Sequence, residues 1–292
     1  MQTAAAHASV VIRRARPDDA PRCGEICYNA FHAINTRHGF PPDLPSAEVA
    51  RQMLAHVFAH PRFYSVVAEV EGRVVGSNCL DERSMIAGVG PITIDPEAQN
   101  RGIGRALMQA VLERARERNA PGVRLVQAAF HGRSLSLYTS LGFQVREPLA
   151  VLQGPAIGAK MEGYRVRAAR PEDLEACNRV CRMVHGHDRG GALSDAIEDG
   201  SALVVEREGR ITAYASVPAF FGHAVAETDT DLRALIAAAE SFGGPGILVP
   251  TRNTGLFRWC LDNGLRVVEC MTLMSMGLYN EPSGAWLPSI LY

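Results

Sequence analysis

The chain has almost no lysine: of its 30 basic residues only Lys160 is one, and the rest are arginines, a skew that codon bias explains at the level of composition. An excess of either charge is also lacking. The 30 basic and 31 acidic residues leave a net charge of −1 over 292 residues, which argues against a nucleic-acid binder relying on bulk positive charge. No apolar run approaches the roughly 20 residues needed to cross a bilayer. The stretch from Met1 to Val11 is Ala-rich and then basic, the reverse of a signal peptide's order. Among the seven cysteines (23, 27, 79, 177, 181, 260, 270) there is no Cys-x-x-Cys pair. An odd number without that spacing suits reduced thiols better than a disulfide framework or a zinc site. The expectation is a soluble, cytoplasmic protein with no metal, no nucleic-acid partner and no membrane partner.

What is present is a repeat. At roughly 100–200 residues per domain the length suits two domains, and 47% hydrophobic residues can build ordinary cores. Ala15-Arg16-Pro17-Asp18-Asp19 returns as Ala169-Arg170-Pro171-Glu172-Asp173, an offset of 154, and Cys23 and Cys27 fall on Cys177 and Cys181 at the same offset. Val66 to Arg73 resembles Val204 to Arg210 at an offset of 137, and Leu141-Gly142-Phe143 aligns with Asn263-Gly264-Leu265 at 122. The falling offsets describe two related copies, the second about 32 residues shorter. Expected limits are 1–152, a Gly-, Ala- and Pro-rich linker over 153–163, and 164–292. Each cysteine pair lies on one helix face, and without further ligands nearby it reads as core packing.

Local patterns predict, in the first copy, a strand over Val10 to Arg14 and a helix opened by Pro17-Asp18-Asp19. A second helix runs from Ser46 to His60, and a hairpin joins Phe63 to Val70 with Arg73 to Leu80 through Glu71-Gly72. Then come a strand over Gly88 to Ile94, a helix from about Gly104 to Asn119, a strand over Val123 to Ala129, a short helix over Ser134 to Ser140, and a last strand over Phe143 to Val151. Strands with helices between them, not strictly alternating, imply an α/β or α+β mixed-sheet fold.

The chemistry concentrates in Ile92-Thr93-Ile94-Asp95-Pro96-Glu97-Ala98-Gln99-Asn100-Arg101-Gly102-Ile103-Gly104-Arg105. An apolar strand, a turn with proline and two glycines at a helix mouth offer unpaired N–H groups and a partial positive charge to a phosphate. Arg101 and Arg105 can add charge there. A dinucleotide fingerprint needs a third glycine where Leu107 stands, and a P-loop needs a lysine that the stretch does not have. Two glycines that merely ease a loop into a helix are the structural alternative.

Gln99-x-x-Gly102-x-Gly104 after Ile94-x-Pro96, followed by Leu137-Tyr138-Thr139-Ser140-Leu141-Gly142-Phe143, resembles the GNAT acetyltransferase superfamily over most of residues 10–150. The resemblance implies two tandem GNAT-like domains, each a central twisted mixed β-sheet flanked by helices, with acetyl-CoA lying where the fourth strand splays from the fifth. It also implies roles. Backbone groups of Ile92 and Ile94 would hold the pantetheine and thioester, the amides of Gln99, Asn100, Arg101, Gly102, Ile103 and Gly104 the pyrophosphate, with Arg105 beside them. Tyr138 would be the general acid for the departing thiolate, and His131 stands where many members carry an asparagine that touches the coenzyme.

Amine attack on a thioester needs an oxyanion donor, a base and an acid for sulfur, and a phenol with a pKa of about 10 is a protonated donor at neutral pH. A tyrosine packing a short helix is the other reading. Glu82, beside Asp81, is the candidate base, directly or through a water; a solvated Asp81-Glu82-Arg83 turn accounts for these residues equally well. The acceptor region is expected over Cys27 to Pro45, with Tyr28, Phe31, His32 and His38, alongside Arg37 and Phe40, as substrate contacts or as packing.

The second copy carries Asn253 at the His131 position but Cys260 at that of Tyr138. Glu227, Asp229 and Asp231 stand where a diphosphate would dock, so a second catalytic site is not expected. The apolar tail from Leu278 to Tyr292 is expected to cover a groove in its own chain or in a homodimer partner. The expected function is direct acetyl transfer from acetyl-CoA, the cosubstrate, to a primary amine of a small molecule or peptide. The alternative is an acyl-CoA-binding sensor or scaffold that no longer turns over.

Overall fold

A computed structural model describes residues 9–291; Met1–Ala8, most of the segment compared above with a signal peptide, and Tyr292 lie outside the described residues. In chain order the first copy contributes β1 (Val10–Arg14), α1 (Ala20–His38), α2 (Ala47–Ala59), β2 (Phe63–Val70), β3 (Arg73–Asp81), β4 (Ile86–Val89), β5 (Thr93–Ile94), α3 (Ile103–Glu117), β6 (Gly122–Ala128), α4 (Gly132–Ser140) and β7 (Gln144–Gln153). The second contributes β8 (Tyr164–Ala168), α5 (Leu174–His185), α6 (Gly190–Glu198), β9 (Leu203–Arg207), β10 (Arg210–Ala215), β11 (Ala224–Ala226), α7 (Asp229–Ala238), β12 (Ile247–Pro250), α8 (Thr254–Asp262), β13 (Arg266–Gly277) and β14 (Ala285–Leu287). This is a mixed α/β fold. Among the described residues no helix is long and apolar enough to cross a membrane.

Two compact units form. One takes residues up to Arg37, Pro42–Asp81 and Val89–Asn119; the other takes His38–Pro41, Glu82–Gly88 and everything from Ala120. In the first unit β1, β2 and β3 are antiparallel neighbours, and β5 pairs with β3. The β2–β3 hairpin closes through Glu71 (φ 51°) and Gly72 (φ 73°), the doubly positive turn that matches strand twist. Helix α3 buries Ile103, Leu107, Met108, Val111, Leu112 and Ala115, one face at helical spacing, against β2 and β3. The strand expected over Gly88 to Ile94 is instead two strands, β4 and β5. Pro91 has no N–H to give a ladder, and pairing stops across Gly90-Pro91.

The second unit shows why the compact units ignore the linker. Its larger sheet runs β4-β6-β13-β7-β12, with β4 parallel to β6 and the remaining pairs antiparallel. Strand β13 of the second copy thus lies between β6 and β7 of the first, and β7 lies between two strands of the second. Strand β7 is buried on both faces. Leu149 and Val151 join a core with Cys177, Val180, Cys181 and Val184 of α5, while Ala150 and Leu152 join one with Leu235 of α7 and Leu256 of α8. We propose 1–152 and 164–292 as the limits of the two sequence copies; packing has interleaved them.

A smaller antiparallel sheet, β14-β11-β10-β9-β8, completes this unit. Its β14 belongs to the apolar tail, which therefore docks within its own chain, with Trp286 buried and edge-on to His185 at 5.4 Å. Both cysteine pairs are buried, and burial pushes Cys23 and Cys177 up to about 12, so they pack rather than react.

The repeat is also visible in ion pairs. Arg13 grips Asp19 at 2.7 Å and Glu69 at 2.7 Å; Arg167 grips Asp173 and Glu206, each at 2.6 Å. These partners correspond at the same offsets of 154 and 137. Each aspartate also accepts from a backbone amide three residues before it, that of Arg16 or Arg170, which closes the turn entering the helix. The Arg167 hydrogen bonds hold the Asp173 carboxyl below its ordinary value, so its stabilisation is complete above the unfolded value of about 3.9 and fades as pH falls through the folded one. Asp173→Asn is therefore expected to lower stability by about 1–2 kcal/mol at pH 7, with the gap to wild type narrowing below about pH 4. Urea unfolding at pH 7 and pH 3 tests this; a gap independent of pH would contradict it.

Candidate active site

In the first unit the chain leaves β5 at Ile94, and the Asp95 carboxylate accepts from the Glu97 amide at 3.1 Å to start a single turn at Pro96. The Gln99 side chain reaches back to the Ile94 carbonyl at 3.2 Å and fixes the loop's return. Asn100 (φ 65°) and Gly102 (φ 78°) are left-handed, and Gly102 caps α3 without a side-chain bond. Ile103 is buried and anchors the first turn, while Asn100, Arg101, Gly102 and Arg105 are exposed and Gly104 is half-buried. There is no acidic residue in that turn. An exposed helix mouth with arginines beside it and no acidic residue in its first turn suits a diphosphate. Ile92 precedes β5 and Ile94 ends it, each half-buried. A cavity of about 700 Å³ beside the loop has Arg22, Arg73 and Arg101 in its wall, but five carboxylates outnumber them, so its charge does not suit an anion.

The second copy's corresponding helix mouth is already filled. At α7 the Thr228 hydroxyl accepts from the Asp231 amide; buried Asp231 binds Arg207 at 2.9 Å and Thr212 at 2.6 Å; and Asp229 accepts from Asn253 at 2.7 Å. These carboxylates bond neighbouring side chains and put negative charge at the mouth, which disfavours an external anion.

In the second unit Tyr138 sits on the buried face of α4, 7% exposed and tilted edge-on to Phe143 at 6.2 Å. Burial pushes its phenol up to about 12, so it stays protonated through the neutral range. His131 caps α4, its Nδ1 2.5 Å from Ser134 Oγ. Glu82 is half-buried on the segment after β3, whose neighbours are pinned: Arg83 Nη1 donates to Asp195 at 2.9 Å and Ser84 Oγ to the Asp188 carbonyl at 2.9 Å. Asp195→Ala removes one of these ties, and amide exchange across residues 82–88 is expected to rise about tenfold with α6 unchanged. Unaltered exchange in that segment would show that the ion pair does not restrain it.

The expected acceptor residues fall in both units. Tyr28 and His32 stack at 5.5 Å on α1 in the first unit, with Phe31 half-buried on the same helix. His38 belongs to the second unit, where it and Phe40 pack on Phe130 at 4.9 and 4.4 Å. Sequence reasoning missed Phe130, Ser134 and Asp195. Ser134 alone carried a signal, three residues after His131 and four before Tyr138 on one helical face. Among the described residues no group of three His, Cys, Asp or Glu side chains is placed to hold a metal.

Residues 28–143 match the acetyltransferase (GNAT) family model. A 63-residue stretch is 43% identical to mycothiol acetyltransferase of Nocardia farcinica, covering 22% of this chain and 21% of that protein; the chain thus matches about a fifth of the relative's length. A crystal structure from Pyrococcus horikoshii, assigned to the acetyltransferases, superposes with a TM-score of 0.72 at 18% identity over 100% of this chain and 96% of its own. A tandem GNAT protein from the clavulanic acid biosynthesis pathway matches at 0.57 and 13% identity over 96% of this chain and 100% of its own. At these identities the structures establish the fold. Residues 28–143 thus resemble the GNAT acetyltransferases in sequence, and over its full length the chain shares the fold of these two structures.

Proposed function

We propose that the chain is an acetyl-CoA-dependent N-acyltransferase that moves an acetyl group directly to a primary amine of a small molecule or peptide, in the cytoplasm. The observation that carries this reading is the buried phenol of Tyr138, held protonated on the helix of the family's second motif. The cosubstrate's pyrophosphate is assigned to the amides from Gln99 to Gly104, and its pantetheine to the backbone of Ile92 and Ile94. Glu82, or a water it holds, takes the ammonium proton, and the free amine attacks the thioester carbonyl. As the tetrahedral intermediate collapses, its nitrogen gives up a second proton to solvent, the C–S bond breaks, and Tyr138 protonates sulfur and is then reprotonated from solvent.

A panel of primary amines assayed for acetyl-CoA-dependent thiol release, with the N-acetylated product read by mass, tests the proposal. Release stoichiometric with product supports it. Coenzyme binding without turnover on any amine would favour the sensor reading instead, and a folded protein that does not bind coenzyme A would overturn both.

A further inference from the structure

The fold leaves a buried polar side chain of β6 without a partner. Gln127 is 5% exposed, and neither its Oε1 nor its Nε2 meets a hydrogen-bond partner among the described residues. A carboxamide has both a donor and an acceptor to satisfy, and here both atoms are shielded from solvent. Burying such a group unpaired costs stability that an apolar side chain of the same length does not. The amide therefore points to a ligand that brings its own donor and acceptor.

Its place in the sheet says where that ligand lies. Val126 packs on the core that holds Val180 and Cys181 of α5, so Gln127, next in the strand, points to the opposite face. In the β6–β13 ladder Val123 stands opposite Met276 and Gln127 opposite Thr272, so Met276 points to the same face as Gln127. Met276 Cε is 3.5 Å from where a Cβ on Gly142 would stand, and Gly142 follows Leu141, the C-cap of α4. Helix α4 thus covers the Gln127 face, with Tyr138 as its buried residue. On the other edge of β6 the ladder with β4 ends at Arg124, and beyond it no strand pairs there among the described residues. The unpaired amide and the buried phenol share one layer of the second unit, beside that strand edge.

We propose that Gln127 binds the amide of the cosubstrate's pantetheine arm that lies nearest sulfur. Its Oε1 accepts from that amide's N–H and its Nε2 donates to the carbonyl, so one side chain meets both polar groups of a secondary amide. The inference rests on the reading of Tyr138 as the acid, which brings the coenzyme sulfur to this layer. Only two methylenes separate that sulfur from the nearest amide, so a sulfur held at Tyr138 carries an amide in with it. The thioester itself offers no N–H, and an acceptor amine is not tethered to the sulfur. Gln127 adds a side-chain contact to the backbone ones assigned to the arm, and by fixing the arm it sets the thioester against the acid.

Isothermal titration of coenzyme A and thermal unfolding of the unliganded protein, on wild type and Gln127→Met, test the contact together. Methionine keeps the unbranched length and removes the amide. The variant is expected to bind coenzyme A about tenfold more weakly and to unfold at a higher temperature than wild type, because it no longer buries unpaired groups. A glutamine with a structural role gives the opposite pattern, a lower unfolding temperature with affinity unchanged, and that result would overturn the proposal. A coenzyme A analogue with an ester in place of the amide nearest sulfur reads the bond itself. Wild type is expected to bind it about tenfold more weakly than coenzyme A, and Gln127→Met to bind the two within about twofold. An equal penalty in both proteins would place that amide elsewhere and overturn the proposal, with Tyr138 still the acid. Full turnover by Tyr138→Phe would instead overturn the reading on which the assignment rests.

Discussion

Tyr138→Phe is expected to lower kcat for acetyl transfer by about 10²–10³-fold, with the KM for acetyl-CoA changed by less than about twofold. The substitution removes one oxygen from a side chain that is 7% exposed and packed on Phe143, so the ring keeps its place and the helix its contacts. Lost is the only proton that the phenol offers to sulfur. A thiolate can leave without protonation, because its conjugate acid titrates near neutrality, which is why a loss near the lower end of the general-acid range is expected rather than complete inactivity. Steady-state kinetics with a preferred amine, beside isothermal titration of coenzyme A, separate the outcomes. An equal loss in binding and turnover would mean that Tyr138 builds the site instead of donating to sulfur.

Gly102→Asp is expected to weaken coenzyme A binding about 100-fold, and Gly102→Asn by less than about tenfold. Gly102 is left-handed at φ 78°, and a Cβ built there meets no atom within 4 Å, so neither variant is blocked by packing. Asn and Asp are the residues that best tolerate this conformation, at a cost of about 1 kcal/mol. The two are nearly isosteric and differ by one negative charge at the helix mouth. Opposed to a pyrophosphate at an exposed site, that charge is worth about 2–3 kcal/mol, roughly a hundredfold in affinity. The chain makes a related substitution itself: at α7 the corresponding mouth carries Asp229 and Asp231 in its first turn. Titration of the pair in low and moderate salt checks the origin of the effect, since a charge effect shrinks as screening increases. Equal losses for Asp and Asn would assign the effect to shape.

The hairpin Phe63 to Val70 with Arg73 to Asp81 was legible, to within one residue, because valine-containing β-rich runs flank the two-residue turn Glu71-Gly72, and those local signals do not depend on the rest of the chain. The repeat was legible for the same reason: the Arg-Pro-acid turn and the paired cysteines are local patterns. The interleaving of β13 between β6 and β7 was not, because strand order depends on which edges meet in space, and β6 is separated by more than a hundred residues from its partner. Apolar β7, buried on both faces, left a trace in its near-continuous run Leu149-Ala150-Val151-Leu152, which reads as a strand without saying what covers it. At the site, Gly102, Gly104 and Tyr138 were readable as residue types at fixed spacing. The Asp195 tie to Arg83 joins side chains 112 positions apart and leaves no local signature.

The most direct test is the distance between the coenzyme sulfur and the Tyr138 hydroxyl oxygen in a crystal of the protein with coenzyme A. Acid catalysis by Tyr138 predicts hydrogen-bond reach, about 3–3.5 Å for sulfur. A sulfur ordered well beyond that reach, with the coenzyme fully bound, would contradict it.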